Sequence, residues 1–251
     1  MTNPVFHAPH LTGLHPGEVL DVHGPEAKHA VTVRRLRTGE PLDLVDGHGT
    51  RASCTFTSGE KDRMSVTVAD IRHEEPRTPR FTLVQALAKG DRDLQAAETA
   101  TELGVDRVIP WQADRSIVRL RGERAEKTMA KWDSTLTTAA KQSRRAHWPH
   151  REDWVDTSRL ARLVAAETDT LWLLLHETAT TTWAASDTAA WAEHPRIAVI
   201  VGPEGGIGED ETRTLTEAGA QTLRLGDTVM RSSTAGPAAL AALQAVLGLW
   251  G

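Results

Sequence analysis

The chain has a single cysteine, Cys54, among 251 residues. That excludes an intramolecular disulfide and any cysteine-rich zinc site. There is no His-Glu-x-x-His, and the eleven histidines are scattered without metal-ligand spacing, so no metal is expected. No apolar run reaches the length of about eighteen residues that a membrane helix needs, and no signal-peptide pattern is present, which leads us to expect a soluble, cytoplasmic protein without a membrane partner. Lysine fills only six of the 29 basic positions, so arginine carries most of the positive charge.

The net charge of -5 argues by itself against a nucleic-acid partner. Its distribution argues the other way. Residues 107–151 hold eleven Lys/Arg against four Asp/Glu, a balance of +7, whereas residues 152–251 hold six against fourteen, a balance of -8. A basic segment concentrated in an acidic chain has the character of a nucleic-acid footprint.

Residues 1–74 read as mostly β. Short runs such as PLDLV and RMSVTV alternate apolar and polar residues, and Asp46-Gly47 with Gly49 suits a tight hairpin. Residues 75–80, with two prolines and no apolar side chain, read as a linker. From 81 to 251 strands alternate with helices, which predicts an α/β domain with a mostly parallel sheet covered on both faces. Its last helix is expected to open at Gly236-Pro237, with Ser232, Ser233 and Thr234 as capping hydroxyls.

One stretch stands out. The apolar run Ile197–Val201 ends in Gly202-Pro203-Glu204-Gly205-Gly206, and a polar helix-like segment follows. No P-loop lysine is present, and Glu211 takes the place of a third dinucleotide-type glycine. Three acidic residues, Glu209 to Glu211, occupy the expected first helical turn, where they favour the helix dipole and repel a pyrophosphate. The loop is therefore expected to hold a ligand lacking phosphate. Because ligands of such sheets gather beyond the carboxyl ends of the strands, three segments are expected to converge: Leu175-His176-Glu177, Gly202–Gly206 and Leu225–Ala235.

Taken together, VGPEGGIGEDE and LRLGDTVMRSSTA resemble the paired C-terminal motifs of the 16S rRNA (uracil-N3)-methyltransferases of the SPOUT superfamily. ALAKGDRDLQAAETATELGVDRVIPWQADRSIVRL, KWDSTLTTAAKQSRRAHWPH and, nearer the start, KHAVTVRRLRTGEPLDLVDGHG are similar to further parts of that family. The resemblance covers nearly the whole chain. It implies a PUA-like β-barrel RNA-binding domain (1–74) followed by a SPOUT α/β domain (81–251) with a deep trefoil knot. It further implies a homodimer, S-adenosylmethionine as methyl donor, and 16S rRNA, free or within the small subunit, as partner.

The resemblance also implies roles. Leu175, His176, Glu177, Val201, Gly202, Pro203, Glu204, Gly205, Gly206, Leu225, Gly226, Met230, Arg231, Ser232, Ser233, Thr234 and Ala235 would hold the cofactor. Arg231 would be catalytic, a positive charge beside the uracil anion. Arg34, Arg35, Lys89, Arg92, Arg115, Gln142, Arg144 and Arg145 would face RNA. The chain departs from the family at two places: Ser233 stands where many relatives have Glu, and Thr228 where they often have Arg, so no catalytic carboxylate is carried over to position 233. Competing readings are a ribose 2′-O-methyltransferase of the same superfamily and a non-enzymatic RNA-binding protein that kept the fold. The first would be expected to carry an Asn-rich loop after Arg231, which is not there; intact glycine-loop residues weigh against the second.

Overall fold

The computed structural model describes residues 3–250. The chain divides into two compact units. One runs as far as Pro76 and also takes in Ala140–Trp148; the other holds Arg77–Ala139 and the chain from Pro149 onward.

The first unit is built on a five-stranded sheet. Its strands are β1 (Val5–His7), β2 (Val19–His23), β3 (Pro41–Val45), β4 (Thr50–Glu60) and β5 (Arg63–His73), in the order β1-β3-β4-β5-β2. Pairing is antiparallel except between β1 and β3. The long β4–β5 hairpin is interrupted at Ser53/Cys54 and Phe56/Ser58, irregularities that bend and twist a ribbon. A short helix, α1 (Pro25–Lys28), and a π-turn over His29–Val33 follow β2. Phe6, Leu42, Leu44, Met64 and Val66 form the core, the inward half of each alternating strand. The predicted turn at Asp46 is present: its Oδ1 accepts from the amides of His48 (2.7 Å) and Thr50 (3.0 Å).

A second unit contiguous over 81–251 is not what forms. After the long helix α3 (Gly122–Gln142), residues 140–148 belong with the first unit. Gly49 N donates to Ala146 O (3.1 Å), Trp148 N to Gly47 O (2.9 Å), and the Arg51 guanidinium to Arg144 O (2.7 Å). A Cβ on Gly49 would stand 2.5 Å from the His147 ring, so only glycine admits this return.

The second unit has a wholly parallel sheet. Its strands are β6 (Arg80–Ala86), β7 (Arg107–Gln112), β8 (His150–Arg151), β9 (Val155–Asp156), β10 (Thr170–Leu175), β11 (Arg196–Val201) and β12 (Gln221–Leu223). The order is β12-β10-β11-β6-β7-β8, with β9 also on β7. Arg80, read as linker, is the first residue of β6. The central strands are buried on both faces, which is why they read as continuous apolar runs. Phe81, Leu83, Ile197 and Val199 face one core with α2 (Arg92–Glu102), α3 and α7 (Ser232–Val246). Val84, Ala198, Ile200 and Trp172 face the other, with α4 (Thr157–Ala166) and α6 (Glu209–Glu217). A four-residue helix, α5 (Thr188–Trp191), lies in the long β10–β11 connection.

The last helix begins at Ser232, not at Gly236, and Pro237 lies inside it. The three hydroxyl residues form its first turn; Arg231 is the N-cap residue, without a side-chain cap bond. Gly236 serves packing instead: a Cβ there would meet Leu83 Cδ1 at 2.7 Å and Val201 Cγ2 at 3.3 Å. The helix therefore lies hard against β6 and β11.

Candidate active site

All strands of the second sheet point the same way, so their carboxyl ends share one edge. There the connections after β10, β11 and β12 enclose a cleft of about 750 Å³. Such a volume suits a small organic ligand. Leu175, Val201, Leu225, Met230 and Ala235 give it apolar walls, and the glycine loop 202–206 and Gly226 give it main-chain groups. The convergence predicted for the three strand ends is present.

Of the residues expected to hold cofactor, Ser233 and Thr234 are not part of the lining. The helix start explains why. Ser232 and Ala235, three residues apart, share the face of α7 that lines the cleft, and Ser233 and Thr234 fall off that face. Ser232 does line the cleft. Its hydroxyl donates to Gly202 O (2.8 Å) and accepts from Gln85 Nε2 (2.8 Å), pinning the helix to the glycine loop and to β6. Gln85 is fully buried and could not be singled out in the sequence, where it is one polar residue in an apolar strand.

The glycine loop turns at Gly206, with φ +72° and its amide on Pro203 O (2.9 Å). The acidic turn that follows divides in two. Glu209 lines the cleft, whereas Glu211 is buried, at 2 % exposure. The Glu211 carboxylate accepts from Thr157 Oγ1 (2.6 Å), Asp114 N (2.9 Å) and Gly208 N (3.3 Å). Glu211 is thus a structural tie between the start of α6, the start of α4 and the segment after β7; the sequence pattern alone does not reveal it.

Arg231 is exposed on the cleft wall. Arg92 and Arg115, expected to face RNA, line the same cleft. Arg92 NH1 donates to Glu204 Oε1 (3.1 Å), and Arg115 NH1 to Gly205 O (3.1 Å). Lys89 is exposed beyond β6 but outside the lining. Arg34, Arg35, Gln142, Arg144 and Arg145 belong to the first unit. Part of the +7 balance of 107–151 is neutralised locally. Arg107 pairs with Glu152 and Glu167, Arg151 with Asp133, and Lys141 with Glu26. Such pairing reduces the charge available to a polyanion. Among the described residues no group of three His, Cys, Asp or Glu is placed to hold a metal, and no helix is long and apolar enough to cross a membrane.

Residues 74–244 match the family model for an RNA methyltransferase domain, and residues 22–69 that for an RNA methyltransferase PUA domain. The ribosomal RNA small subunit methyltransferase E of Mycobacterium bovis is 40% identical over 236 residues, 93% of this chain and 89% of the relative. This chain belongs to the ribosomal RNA small subunit methyltransferase E family. The family member of Bacillus subtilis is 30% identical over 226 residues, 88% of each chain. A solved small subunit methyltransferase E, from Neisseria gonorrhoeae and bound to S-adenosyl methionine, superposes with a TM-score of 0.84 at 28% identity, covering 98% of both chains. A methyltransferase from Legionella pneumophila in complex with the same cofactor gives 0.85, again at 28% identity and 98% of both chains.

Proposed function

We propose that this family member transfers a methyl group from S-adenosylmethionine to N3 of a uridine in 16S ribosomal RNA. The observation that carries the reading is the single cleft at which three parallel strand ends and their glycine-marked loops meet. Its lining fits the donor: apolar side chains for an adenine, main-chain groups for a ribose and an amino acid, and acidic rather than phosphate-binding residues at the start of α6. When bound, the donor supplies an electrophilic methyl on a sulfonium.

The rest is the work of this chain. Uracil N3 carries a weakly acidic proton, so the protein must favour the anion. Arg231 stands on the cleft wall and presents the guanidinium for that charge. Nothing in the site requires a cysteine adduct: Cys54 is buried in the first unit, and burial pushes its thiol up to about 12. That favours attack by nitrogen over chemistry at pyrimidine C5. Lys89, with Arg34, Arg35, Gln142, Arg144 and Arg145 of the first unit, is assigned to the RNA.

The reading includes a homodimer, action on rRNA either free or in the small subunit, and the C-terminal trefoil knot. In support of the knot, the segments after β10 and β12 run side by side. Arg224 N donates to Thr181 O (2.9 Å) and Trp183 N to Arg224 O (2.9 Å), before α7 returns across β6 and β11.

The test is mass mapping of 16S rRNA nucleosides from a strain lacking the protein. One 3-methyluridine should disappear and return on complementation with the wild-type chain but not with Arg231→Ala. Loss of a ribose methyl instead would assign the 2′-O reaction, and an unchanged map would remove the enzymatic reading.

A further inference from the structure

The glycine loop has little with which to hold its own shape. Gly205 and Gly206 bring no side chains, and Gly205 is exposed. Besides Ser232, whose hydroxyl holds the Gly202 carbonyl, three contacts from outside brace it. Arg92, the first residue of α2, donates from NH1 to Glu204 Oε1 at 3.1 Å. Arg115, just beyond β7, donates from NH1 to the Gly205 carbonyl at 3.1 Å. Its stem also packs close, since a Cβ on Gly205 would stand 3.3 Å from Arg115 Cβ. The third contact is the buried Glu211 carboxylate, which takes the Gly208 amide at the far end of the loop and the Asp114 amide beside Arg115. Glu211 therefore ties the loop to the segment that carries its second clamp.

We propose that Arg92 and Arg115 are positioning residues for the cofactor loop: a two-guanidinium clamp on Glu204 and Gly205, anchored through Glu211, that raises cofactor affinity rather than holding RNA phosphate. The proposal rests on the reading of the cleft as an S-adenosylmethionine site. Its physical basis is preorganisation. A loop held in its binding shape before the ligand arrives has less ordering entropy to lose on binding. The hydrogen bonds are to a carboxylate and a main-chain oxygen of the loop itself, which turns both guanidinium groups towards the loop. The Arg92–Glu204 pair is partly open to water, with side-chain exposures of 45% and 25%, which limits its strength without removing its geometric effect.

The experiment is calorimetry with S-adenosylhomocysteine in the absence of RNA, alongside RNA binding at fixed salt. Arg92→Ala and Arg115→Ala should each weaken S-adenosylhomocysteine binding by about threefold to tenfold. Melting temperature and RNA affinity should hold. Arg92→Ala and Glu204→Gln should be non-additive, because they break the same bond. Arg115→Lys should recover part of the affinity, since an ammonium can still donate one bond to a carbonyl. In turnover, the cofactor KM should rise with the dissociation constant. Unchanged S-adenosylhomocysteine affinity with weakened RNA binding would overturn the clamp and return both arginines to the RNA. If the wild-type chain itself fails to bind S-adenosylhomocysteine, the methyltransferase reading falls, and amide exchange over residues 202–208 of the ligand-free chain still tests the clamp. Faster exchange in the two alanine variants supports it; equal exchange overturns it.

Discussion

Arg231 illustrates how a side chain can be free to act while its backbone is fixed. Its carbonyl accepts the amides of Thr234 (2.8 Å) and Ala235 (3.0 Å), closing the first turn of α7, and its side chain is exposed on the cleft wall. Truncation removes the charge and leaves those backbone bonds. Arg231→Ala should lower kcat by about 10² to 10³, the usual cost of a lost preorganised donor, with melting temperature and cofactor affinity nearly unchanged. Arg231→Lys should recover only part, because an ammonium lacks the planar fork. Rates measured under single turnover, with cofactor saturating, check this; a wild-type rate in Arg231→Ala would place the anion's stabilisation elsewhere. Cys54 makes the opposite case, a reactive group without access. Burial, with a smaller contribution from Asp43, raises its thiol from 9.0 to about 12. The folded chain keeps this proton where the unfolded chain would lose it. The associated stability is therefore intact below pH 9.0 and lost as pH rises towards about 12. Aromatic disulfide reagents should leave the native thiol untouched at pH 8 and modify it in denaturant. The urea-midpoint advantage of the wild type over Cys54→Ala should also shrink between pH 8 and pH 11.

At the scale of elements, α7 decides the shape of the site. Its start at Ser232 rather than Gly236 places Ser232 over Gly202 and turns Ser233 and Thr234 away from the lining. Pro237 then falls inside the helix: with no amide, it leaves the Ser233 carbonyl without its helical donor. Gly236 sits where α7 touches the sheet. Alanine is the better helix former by about 1 kcal/mol, so propensity alone predicts stabilisation. Overpacking a core typically costs about 1–3 kcal/mol, and the new methyl would stand 2.7 Å from the fully buried Leu83. Packing should win. Gly236→Ala is expected to lower the melting temperature and to weaken S-adenosylhomocysteine binding, because Val201 and Ser232 move with the helix. A more stable variant would show that Leu83 yields easily.

For the whole molecule the telling feature is that the first unit is not continuous in sequence. Residues 140–148 supply partners to the β3–β4 turn and to Arg51, and Lys141 pairs with Glu26 at 2.6 Å. A fragment ending at Pro76 would lose all of these and leave the Arg51 guanidinium, 6 % exposed, without one of its three acceptors. Removing a partner from a buried charged group is costly. The fragment 1–76 should therefore unfold at lower urea than the same unit within the full chain, and adding a peptide of residues 138–150 should restore part of the loss. Equal midpoints for fragment and full chain would show that 140–148 are dispensable.

Local physics made much of this legible in the sequence. The short apolar run Ile197–Val201, ended by glycine and proline, reads as a buried strand and is one, and Asp46-Gly47 marks a turn that is present. The strand-end rule points to the edge at which the cleft lies. What the tertiary structure alone decided concerns partners distant in sequence. Glu211 and Asp114 are 97 residues apart, Gln85 and Ser232 are 147, and Arg92 and Glu204 are 112. No local pattern encodes such a bond. The charge of an arginine is legible in a basic stretch; the oxygen it holds in the folded chain is not. A hydroxyl before Gly-Pro reads as a cap until packing carries the helix one turn further back. Sequence determined the elements and the edge at which they meet; which polar groups face one another there followed from close packing, which brings remote segments within about 3 Å and leaves buried polar atoms few partners to choose from.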